Sequence, residues 1–108
     1  MDLSLEFALK IIDYCELLEE KKKFIISKQL LRSGTSIGAN IRESQNAESR
    51  TDFIHKLKIA AKEADETSYW LLLCEKSESY PSPKTLIHTN EEIQKILNSI
   101  IGTMKKKQ

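Results

Sequence analysis

Residues 52–74 read Asp52-Phe53-Ile54-His55-Lys56-Leu57-Lys58-Ile59-Ala60-Ala61-Lys62-Glu63-Ala64-Asp65-Glu66-Thr67-Ser68-Tyr69-Trp70-Leu71-Leu72-Leu73-Cys74. Phe53, Leu57, Ala60, Ala64, Thr67, Leu71 and Cys74 recur at alternating steps of four and three. That is a heptad alternation on one helical face, and it is the strongest periodicity in the chain. Ser49, with Asp52 three residues on, resembles a capping pair with Asp in place of the usual Glu. Tyr80-Pro81-Ser82-Pro83 ends the pattern, because proline cannot continue a helix.

Three more helical segments flank this one. From about Ser4 to Leu18, the residues Leu5, Ala8, Ile12 and Cys15 or Leu18 recur at helical steps, which predicts a buried stripe there. Glu19 to Lys23 reads as a short charged hinge. From about Phe24 to Gln45, Leu30, Gly34, Ile37 and Ile41 keep one phase through two glycines, so one helix is expected. An interior glycine costs up to about 1 kcal/mol relative to Ala. Close approach of a neighbouring helix at Gly34 and Gly38 would compensate. The last segment is expected to start with Ser82 as N-cap and Pro83 as first helical residue. Its stripe is Ile93, Leu97, Ile100 and Met104, and Lys105, Lys106 and Lys107 close it. No strand pattern occurs. Four helices on short links predict an all-α, antiparallel, up-down-up-down four-helix bundle as a single domain over residues 1–108.

Composition agrees. The chain has 108 residues, 17 basic and 16 acidic, for a net charge of +1. With 31% charged and 40% hydrophobic residues, it fits a soluble globular domain rather than a disordered chain. Three glycines and two prolines speak against a turn-rich all-β fold. The acidic start Met1-Asp2-Leu3-Ser4-Leu5-Glu6 is unlike a secretory leader, and no apolar run approaches a membrane span. A cytoplasmic location, no membrane, and two reduced, packed thiols at Cys15 and Cys74 are expected.

Two catalytic patterns fail on context. Gly34-Thr35-Ser36-Ile37-Gly38 matches G-x-S-x-G literally, but a nucleophile elbow needs a strand before the serine, and here the motif lies inside a helix. A di-metal bundle site needs two Glu-x-x-His pairs and two further Glu residues; the nearest match is a single Asp52-x-x-His55. His55 and His88 therefore read as surface histidines. No catalytic residue, metal site or cofactor is expected, and no enzyme.

Three surfaces remain. Arg32, Ser36, Asn40 and Glu43 fall within about 80° on helix two, opposite its apolar stripe. They read as an ordinary solvated face, or as a polar seam against another subunit or a ligand phosphate. On helix three, Tyr69 to Cys74 cover every side, and Ile59, Trp70 and Leu73 sit together off the heptad stripe. Either the proline-containing loop folds over them, or these four residues, Ile59, Tyr69, Trp70 and Leu73, form a subunit interface; the interface is the favoured reading, because a lone bundle helix buries only one stripe. Charge is segmental: residues 1–20 carry −5 and residues 21–32 carry +5. In an up-down-up-down bundle the Lys105–Lys107 tail lies at the end that holds Arg42, Arg50 and Lys56. Those six residues are candidate phosphate contacts.

Two stretches carry a family resemblance. They are Arg32-Ser33-Gly34-Thr35-Ser36-Ile37-Gly38-Ala39-Asn40-Ile41-Arg42-Glu43 and Asp52-Phe53 through Ala64-Asp65-Glu66-Thr67-Ser68-Tyr69-Trp70-Leu71. With the closing Ile96-Leu97-Asn98-Ser99-Ile100-Ile101 and its lysine tail, the chain resembles the four-helix-bundle proteins encoded by intervening sequences of bacterial large-subunit ribosomal RNA genes. The resemblance implies a ring-like homopentamer. It also implies kinship with the accessory protein of diversity-generating retroelements, a pentameric barrel that binds nucleic acid and the reverse transcriptase. Arg32, Ser36, Asn40, Glu43, Glu66 and Trp70 match the family's signature, and Glu66 thereby joins the polar seam. Two functions follow as expectations: an accessory protein for RNA or an RNA–protein complex, or a structural oligomer that scaffolds a protein partner.

Overall fold

The computed structural model describes residues 2–106. Four helices follow in order: α1 (Leu3–Glu20), α2 (Phe24–Gln45), α3 (Arg50–Lys76) and α4 (Lys84–Lys106), with no strand among the described residues. The whole measures 47 × 24 × 21 Å, an elongated shape in keeping with helices of 18 to 27 residues at about 1.5 Å per residue.

Several boundaries have a local cause. Asp2 Oδ1 accepts from the Ser4 backbone N–H at 2.9 Å and caps α1. At the other end, the Lys23 N–H bonds to the Leu18 carbonyl at 2.8 Å and the Lys22 N–H to the Glu19 carbonyl at 2.9 Å. This is a Schellman motif, and it holds Lys22 at φ 62°. The charged hinge is thus a defined helix stop. Ser49 Oγ accepts from the Asp52 N–H at 3.0 Å, which is the capping contact expected for α3, although the helix begins two residues earlier than Asp52. The Pro83 carbonyl accepts from the Ile87 N–H at 3.0 Å, so Pro83 lies just outside α4 and not at its first position.

α2 packs on α1 and α3, α4 packs on α3, and α1 meets α4 more loosely. No Cα of α1 comes within 8 Å of one in α3, nor does α2 approach α4 that closely. The four helices therefore occupy the corners of a square. Phe7, Ile11 and Leu18 meet Leu30 and Ile37, Leu57, Ala60, Ala64 and Leu71, and Leu86, Ile93 and Leu97 in one core.

The stripe expected on α1 is corrected. Leu5 and Ile12 are exposed, and Ser4, Phe7, Ile11, Tyr14, Cys15 and Leu18 face inward. The reason is Gly34: an added Cβ there would lie 3.0 Å from Ile11 Cγ1 and Cγ2. The Ile11 side chain fills the gap that the glycine leaves, and this fixes the rotation of α1. Gly38 likewise faces Ser4, with Ser4 Oγ 3.3 Å from such a Cβ. On α4 the inward set is Leu86, Asn90, Ile93 and Leu97, while Ile100 is exposed.

Polar groups inside the bundle join neighbouring helices. The Cys15 thiol donates to the Ser27 carbonyl at 3.4 Å, and the Ser27 hydroxyl donates to the Cys15 carbonyl at 3.1 Å. Thr67 Oγ1 lies 2.9 Å from Ser33 Oγ. Asn90 Nδ2 donates to the Ala64 carbonyl at 3.0 Å, and Asn90 Oδ1 is buried with no partner among the described residues. Tyr14 donates its hydroxyl to the Pro81 carbonyl at 2.7 Å, tying the α3–α4 loop to α1. Burial raises the Tyr14 pKa, so the phenol remains a donor.

Candidate functional site

The polar residues of α2 turn toward α3. Arg32 donates Nη1 to Glu63 Oε2 at 3.1 Å and Nη2 to Glu66 Oε2. Trp70 Nε1 donates to that same Glu66 oxygen at 2.9 Å. The Trp70 hydrogen bond, followed by the Arg32 hydrogen bond, holds the Glu66 carboxyl below its ordinary range. The Arg32 guanidinium is in turn held charged chiefly by Glu66. Lower on the same seam, Lys56 Nζ lies 3.4 Å from Glu43 Oε1. Ser36 donates to the Arg32 carbonyl at 2.6 Å and Asn40 to the Ser36 carbonyl at 2.8 Å. Within the chain, then, Arg32, Glu43 and Glu66 bridge α2 and α3, and Ser36 and Asn40 bond their own helix.

The aromatic residues of α3 divide. Trp70 is partly buried on the core, with its ring edge against Tyr69 at 5.4 Å between centroids. Tyr69 is 55% exposed. Ile59 and Leu73 are half-buried, and their neighbour Leu72 is exposed. Apolar surface also lies on α1, where Leu5, Leu9 and Ile12 are all exposed, and Leu31 is exposed on α2. An open groove of about 270 Å³ runs beside it, with Leu5, Ala8, Thr35, Gly38, Asp2 and Arg42 among its lining residues. The stripe expected from the sequence places Leu5, Ala8 and Ile12 on the core side, whereas Leu5 and Ile12 face outward. The signal was the second stripe, Phe7, Ile11 and Leu18, in the same helix.

The candidate phosphate contacts do not line one common cleft. Lys105 lines a cleft of about 210 Å³ with Thr51, Ile54, His55 and Lys58. Lys106 follows, exposed, at the end of α4, and Lys107 lies outside the described residues. Lys56 is paired with Glu43. Arg42 lines the α1–α2 groove. Arg50 is exposed at the start of α3. Lys58 and His55 stand here in addition to the six candidate residues. Their spacing from Thr51, four and then three residues, is the sequence signal that would have found them.

A family model described as 23S rRNA-intervening sequence protein matches residues 1–102. The chain belongs to that family. Among solved structures, it is similar to a protein of unknown function from the S23 ribosomal protein family of Bacteroides thetaiotaomicron. The two are 52% identical over 93% of this chain and 95% of the other, with a TM-score of 0.88. No curated protein matches the chain. No helix among the described residues is long and apolar enough to cross a membrane. Membership of the intervening-sequence family therefore rests on nearly the full length of the bundle, the Arg32–Glu66–Trp70 seam included.

Proposed function

We propose that this intervening-sequence protein is a non-enzymatic, cytoplasmic homo-oligomer, an up-down-up-down bundle assembled as a closed ring of five, that acts as an accessory protein for RNA or an RNA–protein complex. The observation that carries the assembly is the exposed apolar face of α1 and α2, formed by Leu5, Leu9, Ile12 and Leu31. Tyr69 and Leu72 on α3 and Ile96 and Ile100 on α4 add exposed apolar area on other sides of the same chain. Apolar area on different sides suits heterologous contacts, and such contacts close into a ring when the rotation between subunits allows. The antiparallel course is supported by paired contacts: Cys15 with Ser27, Ile11 with Gly34, and Ser4 with Gly38.

Support for the RNA partner is the meeting of Lys105 with Lys58 and His55 at one end. Copied around a ring, a weak cationic cluster gains by avidity without a large net charge. A second function, a structural scaffold for a protein partner, is favoured by the engagement of Arg32 and Lys56 in ion pairs. Light scattering with an RNA pull-down over a salt series separates these readings. A mass near five protomers, with RNA retained at low salt and released as salt rises, is the expected result. A monomer at micromolar concentration overturns the ring, and no RNA retained at low salt leaves the scaffold.

A further inference from the structure

Thr51, His55, Lys58 and Lys62 follow one another on α3 at steps of four, three and four, and all are exposed. At 100° per residue they form one stripe, opposite the buried Leu57, Ala60 and Ala64. The stripe is about 16 Å long at 1.5 Å per residue. Lys105 of α4 closes on its first half and forms the 210 Å³ cleft, with the buried Ile54 beside Thr51, His55 and Lys58. Cations from two different helices thus converge, which a charge run along a single solvated helix does not produce. Their charge is also uncommitted. The ion pairs among the described residues join Arg32 to Glu63 and Glu66, and Lys56 to Glu43; none involves Lys58, Lys62 or Lys105. The next residue along the stripe is Asp65, whose Oδ1 accepts from Gln94 Nε2 at 2.9 Å. An acidic side chain engaged by α4 marks where the cationic run stops.

We infer that the outward stripe of α3 from Thr51 to Lys62, flanked by Lys105 of α4, is the groove that takes the sugar–phosphate backbone of RNA. This rests on the RNA-binding function proposed above and extends its cationic cluster from Lys105 and Lys58 along α3 to Lys62. The chemistry is phosphate neutralisation by ammonium groups, with Thr51 and His55 as hydrogen-bond donors, and it is independent of base sequence.

The test measures binding of a fluorescein-labelled RNA hairpin over a salt series to three forms of the full chain. These are the wild type, Lys58→Gln/Lys62→Gln, and Lys28→Gln/Lys84→Gln as a charge-matched control on α2 and α4. All four substituted side chains, Lys28, Lys58, Lys62 and Lys84, are exposed and on helices, so circular dichroism should match across the series. The groove pair is expected to weaken binding by about tenfold or more and to lower the salt slope by about two, one per phosphate contact. The control pair is expected to stay within about twofold of wild type. The two histidines of the chain give a second readout. RNA should shift the His55 ring signals in NMR and leave those of His88 in place. If the groove pair binds like wild type, or His88 moves and His55 does not, the groove is overturned while RNA binding stands. If the wild type itself binds no RNA at low salt, the RNA function falls and the groove falls with it.

Discussion

Glu66 Oε2 accepts the indole N–H of Trp70 at 2.9 Å, and the same oxygen also takes the Arg32 guanidinium. One carboxylate thereby orients an aromatic ring on its own helix, one turn away, and ties a neighbouring helix through a charge 34 residues earlier in the chain.

Glu66→Gln should cost less than about 1 kcal/mol, because the pair is solvent-facing and exposed ion pairs are weak. Its pH signature is more telling. The folded carboxyl is held below its ordinary value of 4.5, chiefly by Trp70 and then by Arg32. Its contribution is complete above pH 4.5 and is lost as pH falls through the lower folded value. Trp70 is the only tryptophan, so its fluorescence should change in acid with a midpoint below 4.5. The Gln variant should lack that step; the same transition in both proteins would show that Glu66 does not govern the ring.

The three glycines should answer differently to alanine. At Gly34 the new methyl would press on buried Ile11 at 3.0 Å, so overpacking of about 1–3 kcal/mol should exceed the propensity gain of up to about 1 kcal/mol. At Gly38 the nearest atom is Ser4 Oγ at 3.3 Å, and the two effects should nearly cancel. At Gly102 nothing lies within 4 Å, and Gly102→Ala should stabilise by about 0.5 kcal/mol. Urea unfolding of the three variants should place them in that order.

Lys22 stands at φ 62° in the Schellman turn, where a side chain is strained and glycine is not. Lys22→Gly should raise stability by about 1 kcal/mol, seen as a higher urea midpoint with an unchanged slope. An unstable variant would mean that the Lys22 side chain holds contacts that outweigh the backbone relief.

Cys15 and Cys74 should resist modification in the native protein. Burial pushes the Cys15 thiol up to about 11 and raises Cys74 as well, so little reactive thiolate exists at neutral pH. They also sit on diagonal helices, with no α1–α3 Cα pair inside 8 Å, whereas a disulfide needs about 7 Å or less. A thiol reagent should label neither residue quickly until denaturant is added, and reductant should leave the melting temperature unchanged. Rapid labelling of the folded protein would contradict this.

The helix boundaries were largely legible because they depend on short-range chemistry. Phe24–Gln45 comes out as expected for α2, since its apolar phase runs unbroken through both glycines. The Ser49 cap and the proline-bearing loop delimit α3 for the same reason. Burial of Leu57, Ala60, Ala64, Thr67, Leu71 and Cys74 follows the heptad, because α3 carries charged residues between them. On α1 the choice of face failed. Leu5, Leu9 and Ile12 compete with Phe7, Ile11 and Leu18, and helical periodicity scores both sets well. The cationic site was half legible: the lysine tail was visible as a run, but the approach of Lys105 to Lys58 joins residues 47 positions apart.

By itself, then, the sequence determined an all-helical chain of four segments, the Ser49 cap of α3, the core face of α3 and the family. Each of these rests on interactions within about four residues or on side-chain types in a fixed order. Only the tertiary structure decided that Ile11 fills the space at Gly34, which turns Leu5, Leu9 and Ile12 outward. Only it decided that Arg32 is held by Glu63 and Glu66 and Lys56 by Glu43, which leaves Lys58, Lys62 and Lys105 outside those ion pairs. Those choices depend on which helix stands next to which, and neighbours in space are set by the packing of whole helix faces rather than by any local pattern.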